Sequence, residues 1–258
     1  MATPAEIAAF VGAAAWLPQI STLIYRIIIW PKVTIVPEKR VEIGYTTFGP
    51  IFNLRLAVSA TRKDTIIDQV DVSIYHEDGS LHKFTWAGMR ETFSEIKDLS
   101  GNTQFVERDY SPIALFLIRN GLIERFFRFQ DPLFRSKNMT LLRAAADCQV
   151  YLKKTKTDYH QELIDSREVH ACLDFYERYF SWKPGKYTVT FTVRSPNKAD
   201  LTKSSYTFEL KSYEIDELRK NLPLFKIEAI NLIKGDIEGY KPEEVKWQWV
   251  STSLERVE

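Results

Sequence analysis

The sequence predicts a mainly β protein of the α+β class: a β-sandwich with a helical insertion and an apolar helical segment at its N-terminus. Several short stretches alternate apolar and polar side chains and are separated by turn signals, which is typical of sandwiches. Helical patterning is concentrated at about residues 139–180. No charged side chain lies between Ile7 and Tyr25. We therefore expect an apolar segment over residues 1–30 and a β-sandwich domain over residues 31–258.

Composition excludes several classes of protein. The chain has 258 residues, of which 45% are hydrophobic, so it is globular rather than disordered. The formal net charge of +1 argues against a protein that wraps nucleic acid. Two cysteines, Cys148 and Cys172, are too few for a disulfide framework, and free thiols fit a reducing compartment.

A first interpretation of the N-terminal segment is a transmembrane or deeply inserted helix, because about twenty apolar residues can span a bilayer. Trp16, Tyr25 and Trp30 are aromatic residues of the type found at membrane interfaces. Glu6 precedes the run and basic residues follow it, so the positive-inside bias predicts that the bulk of the chain is cytoplasmic. These basic residues are Arg26, Lys32, Lys39 and Arg40. A cleaved signal peptide is not expected, since no basic region precedes the run.

Two other interpretations remain open. Pro18 should kink or end a first helix, and the apolar side chains after it lie on one helix face, as in a helix that lies flat on a membrane. Alternatively, the segment packs on the protein's own sheet or on a second subunit. For membrane contact, the predicted residues are Phe10, Val11, Trp16, Leu17, Ile20, Leu23, Ile24, Ile27, Ile28 and Trp30.

The strands are predicted from period-two alternation. The clearest example has Phe52, Leu54, Leu56 and Val58 on one face. Residues 88–102 are polar and mixed, and we expect a long loop or short helix there. The other predicted strands cover residues 33–36, 41–47, 67–75, 81–86, 187–193 and 206–210, with a last strand around Trp247 and Trp249.

A β-hairpin is predicted around Asn120-Gly121, a dipeptide that readily adopts the positive φ angles of a type I′ turn. Residues 113–119 and 122–129 would be its strands, although Leu115, Ile118 and Leu122 also fit a helical period.

Two helices are predicted in the insertion. The first covers residues 139–152. The second follows Asp165 and Glu168, which have capping-box spacing. After the second helix, Pro184-Gly185 and Tyr187 form a turn and strand start that resembles immunoglobulin-like and related modules. This resemblance covers one turn and one strand, and it implies an immunoglobulin-like or related sandwich.

No catalytic motif is present. The sequence lacks a Gly-rich phosphate loop, a Gly-x-Ser-x-Gly elbow and the paired spacings of zinc sites. Two polar groups could serve as metal or nucleophilic sites, but both are better explained as surface turns and helix faces. The first contains His76, Glu77, Asp78 and His82, and the second contains His160, Glu162, Glu168, His170 and Cys172. We therefore predict no catalytic residue, no metal and no cofactor.

Basic and phenylalanine side chains alternate around residues 119–143. Such residues can hold anionic headgroups or phosphates, although an amphipathic strand with Phe inside and Arg in water also explains them. The candidate anionic-ligand residues are Arg119, Arg125, Arg128, Arg135, Lys137 and Arg143.

The leading hypothesis is a non-enzymatic, membrane-associated binding or effector module, in which the N-terminal helix anchors a cytoplasmic β-sandwich. The sandwich would recognise a protein partner or an anionic ligand. The alternative is a soluble structural or assembly protein whose N-terminal helices pack between subunits. Membrane lipid and a protein partner or second copy are the expected partners, and nucleic acid is not.

Overall fold

The computed structural model describes Thr3 and residues 15–24, 29–97, 103–111 and 113–257, and for residues 91–97 and 103–108 it describes the backbone only. The strands are β1 (Lys32–Pro37), β2 (Arg40–Thr46), β3 (Gly49–Thr61), β4 (Thr65–Ile67), β5 (Gln69–His76), β6 (Leu81–Lys97), β7 (Thr103–Tyr110), β8 (Leu115–Leu117), β9 (Leu122–Gln130), β10 (Gly185–Arg194), β11 (Asp200–Leu201), β12 (Ser205–Leu210), β13 (Trp249–Ser253) and β14 (Glu255–Arg256). The helices are α1, described over residues 15–24, α2 (Pro132–Thr155), α3 (His160–Ile164), α4 (Arg167–Tyr179), α5 (Ser212–Arg219) and α6 (Leu224–Lys234).

Twelve strands form one curled sheet. β1 and β2 act as one interrupted strand, since β2 pairs with the first half of β3 and β1 with its second half. At the interruption, the Glu38 amide donates to the Arg55 carbonyl at 2.9 Å. From β3 the sheet continues through β9, β6, β5, β10 and β12. The C-terminal segment then pairs with both ends of this series, β13 with β2 and β14 with β12. The sheet therefore closes on itself as a barrel.

The interior of the barrel is filled by inward-pointing side chains from the described parts of the long strands, as expected for a sheet with one buried face. On β3, Phe52, Leu54, Leu56 and Val58 all point inward and are buried. Aromatic rings pack against one another in this core; Tyr187 and Phe208 stack with their centroids 4.8 Å apart. Because burying one such side chain is worth about 1.5–3 kcal/mol, this interior is the main source of stability.

Helices pack against one end of the barrel, which we call the helical end; it carries the β2–β3 turn. The Tyr45 ring of β2 meets the rings of Phe134, Phe180 and Phe225 in edge-to-face contacts. The Asn138 amide of α2 donates to the Thr47 carbonyl at 3.1 Å. The opposite end contains the first residues of β1, β5 and β9 and the last residues of β3 and β10.

Local signals explain where the helices begin. The Asp131 carboxylate accepts hydrogen bonds from the Leu133 and Phe134 amides at 2.7 and 3.1 Å, and Pro132 follows it, so α2 starts earlier than the predicted residue 139. For α4 the cap is Ser166, whose hydroxyl accepts from the Val169 amide. The predicted cap at Asp165 was wrong by one residue.

The prediction of a mainly β protein is confirmed, and α2, α3 and α4 form the helical insertion between β9 and β10. The immunoglobulin-like or related β-sandwich is not confirmed, because the strands of the described ranges form one curled sheet with the small β4–β8 sheet beside it. The predicted loop or helix at 88–102 was wrong over residues 88–97, since β6 continues to Lys97 and pairs with β7. Residues 98–102 lie outside the described part of the chain.

The predicted hairpin around Asn120-Gly121 was also wrong. Asn120 has a positive φ of 62°, but Gly121 does not, so the two residues do not form the predicted type I′ turn. The two flanking strands also do not pair with each other. β9 pairs with β3 on one side and β6 on the other, which uses both of its edges, and β8 pairs with β4.

Candidate functional site

The N-terminal segment presents its apolar side chains to solvent. All ten residues of α1 are exposed, and so is Trp30. Six predicted membrane-contact residues are therefore accessible: Trp16, Leu17, Ile20, Leu23, Ile24 and Trp30. The other four, Phe10, Val11, Ile27 and Ile28, lie outside the described residues.

Within α1 the apolar residues form a stripe. Trp16, Ile20, Leu23 and Ile24 have the spacing of one helix face. Residues 18, 19, 21 and 22 lie elsewhere around the helix, where the Thr22 hydroxyl donates to the Pro18 carbonyl at 2.7 Å. The described part of α1 is thus amphipathic.

The N-terminal segment joins the barrel at the end opposite the helical end. Lys32 pairs with Thr61, and the Asp200 amide donates to the Pro31 carbonyl at 2.9 Å. The Lys198 ammonium lies 5.7 Å from the centroid of the Trp30 ring, within cation–π range. These contacts fix the place from which the N-terminal segment leaves the barrel.

In the parts of the chain that the structure describes, no helix combines the length and the apolar character needed to cross a bilayer.

The six candidate anionic-ligand residues are distributed over the length of the barrel. Arg119 lies at the opposite end, whereas Arg135, Lys137 and Arg143 are exposed on α2 at the helical end. The nine-residue strand β9 separates the two groups by about 26 Å. The structure therefore does not assemble the six into one site.

The remaining two candidates, Arg125 and Arg128, lie on β9. The Arg128 guanidinium pairs with the Asp109 carboxylate, which also accepts from Arg90 at 3.1 Å. Partial burial raises the pKa of Asp109, but the two guanidiniums lower it by more, so the pKa stays below its usual range. Phe127 and Phe129 flank Arg128 along β9 and are buried, whereas Arg128 is partly exposed on the other face. Arg128 is thus already paired within the protein.

The first histidine group does not form a metal site. His76 Nδ1 lies 2.9 Å from the Asp78 carboxylate, and Nε2 lies 3.1 Å from the Pro184 carbonyl, so both ring nitrogens have partners. His82 stacks on Trp182 at 5.5 Å, and burial lowers the pKa of its imidazole. The group thus braces the β5–β6 turn against the start of β10.

The second group is dispersed. His160 Nε2 lies 2.8 Å from the Asp236 carboxylate, and His170 Nδ1 lies 2.9 Å from the Ser166 carbonyl. Cys172 is buried among aromatic side chains, and burial raises the pKa of its thiol. Among the residues described, no three His, Cys, Asp or Glu side chains are placed to hold a metal.

A groove of about 230 Å³ lies between α3, α4 and α6. Val169, Leu173 and Ile230 line it with apolar surface, and His170 and Lys226 are among its polar residues. Ligand pockets usually enclose about 300–1,000 Å³, so this open groove is small for a metabolite-sized ligand.

A second apolar surface was missed by the sequence analysis. It lies at the opposite end of the barrel, and we call it the rim; its residues are Ile66, Ile113, Phe116, Ile118 and Leu122, all exposed. Four of these residues, Ile113, Phe116, Ile118 and Leu122, belong to the predicted Asn-Gly hairpin, and Ile66 precedes a predicted strand. The available signal was that residues 113–122 hold more apolar side chains than one buried strand face can take.

Comparison of the chain with protein-family models, with curated proteins and with solved structures gives no match.

Proposed function

We propose that the protein is a non-enzymatic, membrane-associated binding module with the barrel on the cytoplasmic side. The observation that carries this proposal is the exposure of the apolar face of α1 and of Trp30. The buried core of the barrel does not include these side chains, so they are available for burial in a lipid surface or against another protein.

The amphipathic pattern of the described part of α1 favours a helix lying in the membrane interface. Trp16, Ile20, Leu23 and Ile24 form one apolar face, which suits insertion parallel to the membrane plane. Burying each of these half-exposed side chains contributes about 1 kcal/mol, so the face supplies about 4 kcal/mol before ordering costs.

Basic residues support the contact electrostatically. Lys32 and Lys198 lie where the segment leaves the barrel, and each basic side chain near an anionic leaflet adds about 1 kcal/mol of attraction. The barrel would then be available to bind a protein partner or an anionic ligand.

A flotation assay with the full chain tests this proposal. Vesicles containing anionic lipid should carry wild-type protein upward, and the triple variant Ile20→Ser, Leu23→Ser, Ile24→Ser should stay at the bottom of the gradient. The matched control changes Gln19, Ser21 and Thr22 of the same helix to Ala and should float like wild type. Wild-type protein that does not float would overturn the proposal.

The alternative is an assembly protein whose helices pack between subunits. One observation favours it: α2 exposes Met139, Leu142 and Val150 at a spacing suited to a helix partner. Oligomerisation in the absence of lipid that is lost in the α1 triple variant, with no vesicle binding by wild type, would support this function instead.

A further inference from the structure

The rim is a fixed part of the fold. β4 and β8 form a two-stranded ribbon across the opposite end of the barrel, with Ile66 and Phe116 as direct partners. The inner face of the ribbon, which includes Ile67, Leu115 and Leu117, is buried in the barrel core. If the outer face of the ribbon only met water, it would be expected to carry polar side chains. Instead it carries Phe116, which has 57% of its surface exposed.

The turn after β8 holds two further rim residues in position. The Arg119 amide donates to the Asp64 carboxylate at 2.6 Å, and the Asn120 amide donates to the Ala60 carbonyl at 2.7 Å. Ile118 and Leu122 flank this turn and are each more than 60% exposed. These two rim side chains therefore project from a turn that is hydrogen-bonded to the end of β3.

The surroundings of the rim are basic. In the described residues 29–32, 61–68, 113–122 and 194–203, basic side chains outnumber acidic ones by seven to three. Asp68 pairs with Arg194, and Asp64 caps the Arg119 amide, so two of the three acids are engaged locally. For a chain with a net charge of only +1, this end is strongly biased toward positive charge.

The rim also lies beside the exit of the N-terminal segment. Lys32 pairs with the end of β3 on one side, and Arg119 bridges to Ala60 of β3 on the other. Two strand spacings separate these partners, which is about 10 Å. The apolar face of α1, Trp30 and the rim are therefore attached to the same end of the barrel.

We propose that the rim is a second membrane-contact site, at which Phe116, Ile118 and their neighbours enter the interface of an anionic bilayer. Arg62 and Arg119 contact the phosphate groups around them. This inference rests on the proposed function and adds an orientation to it. With two contacts at one end, the barrel stands on the membrane with its helical end directed away.

The test compares two double variants of the full chain by flotation on anionic vesicles. Phe116→Ser with Ile118→Ser should weaken vesicle binding by about tenfold or more, because two apolar side chains of the rim leave the interface. Met139→Ser with Leu142→Ser removes two other exposed apolar side chains, from α2 at the helical end, and should bind like wild type. Equal urea midpoints confirm that both variants are folded.

The outcomes separate this inference from the proposed function. Wild type and rim variant floating equally would overturn the inference and leave the proposed function in place. Absence of wild-type flotation would overturn both. A wild-type dimer in the absence of lipid that becomes a monomer in the rim variant would identify the rim as a contact between copies and overturn the inference.

A second measurement does not depend on loss of binding. In a Cys148→Ser background, Phe116→Cys carries an environment-sensitive fluorophore, since the remaining Cys172 is buried. The proposal predicts a blue shift of emission when anionic vesicles are added. Unchanged emission with vesicle-bound protein would overturn it.

Discussion

The amide of Asn221 offers a direct test of how the barrel is closed. Asn221 is fully buried between α5 and α6. Its Nδ2 donates to the Tyr45 carbonyl at 3.0 Å and to the Gln248 carbonyl at 2.9 Å, and its Oδ1 accepts from the Gln248 amide at 2.7 Å. Tyr45 belongs to β2, and Gln248 immediately precedes β13, so one side chain joins the two strands that close the sheet.

Asn221→Ala should therefore lower the free energy of unfolding by about 3 kcal/mol. Each of the three hydrogen bonds contributes about 1 kcal/mol, and the substitution leaves buried backbone groups without partners. Urea denaturation of the full chain measures this loss of stability as a lower midpoint urea concentration, with the dependence of the unfolding free energy on urea unchanged.

A matched control is available at Asn231. Its side chain also makes three hydrogen bonds, to the carbonyl and amide of Glu243 and to the Tyr240 hydroxyl. Asn231 is partly exposed, so water replaces the lost partners, and Asn231→Ala should cost only about 1 kcal/mol. Equal losses for the two variants would refute the claim that burial of the Asn221 amide gives the closure its strength.

Two further predictions concern the helical end and alkaline pH. Gly49 has a φ of +81°, and a Cβ there would lie 2.4 Å from the Phe134 ring. Gly49→Ala should therefore lower the free energy of unfolding by about 2 kcal/mol or more. Gly79 has a φ of +88° but lies in open space, so Gly79→Ala should lower the free energy of unfolding by only about 1 kcal/mol. Urea midpoints that rank the two glycine variants in the reverse order would contradict the packing described. Burial raises the pKa of Tyr176 and of Tyr187 from 10.0 to about 12. Because the folded state holds these protons more tightly, their contribution to stability is complete below about pH 10 and is lost as pH rises toward 12. Tyrosinate absorbance in native and urea-unfolded protein checks this, and identical titration curves would contradict it.

Several strands were predictable from sequence because they carry a period-two pattern on one buried face, but the second half of β6 and β7 were not. The stretch from Phe52 to Val58 was placed correctly as part of β3. The pairing was not predictable, since alternation shows which residues face the core but not which strand lies beside which. The closure of the sheet by residues 249–256 depends on contacts with β2 and β12 that are distant in the sequence.

The Asn120-Gly121 turn shows how a local signal that is only partly right can lead to a wrong tertiary prediction. Asn120 has the positive φ of a turn residue but Gly121 does not, and competition among strands decided the partners. β3 and β6 together offer β9 far more hydrogen bonds than the three-residue strand β8 can. Consequently β8 pairs with β4, and Phe116 lies on the outer surface rather than in the core.

The candidate site was predictable only in part. The uncharged N-terminal run was recognisable without tertiary information, and six of its ten predicted membrane-contact residues are exposed, while their contact with a membrane stays a prediction. The basic group at residues 119–143 was not one site, because β9 is extended and separates Arg119 from Arg143 along the barrel. A helix would have kept such residues much closer, at about 1.5 Å rather than 3.3 Å per residue.

The central claim is that the exposed face of α1 brings this barrel to a lipid surface. The most direct measurement is the partition coefficient of the full chain between buffer and anionic vesicles, for wild type and for the variant with serine at positions 20, 23 and 24. We expect wild type to partition strongly onto the vesicles. The partition coefficient of the variant should be lower by at least about a hundredfold, because about 3 kcal/mol of apolar burial is removed. Equal coefficients for the two proteins would contradict it.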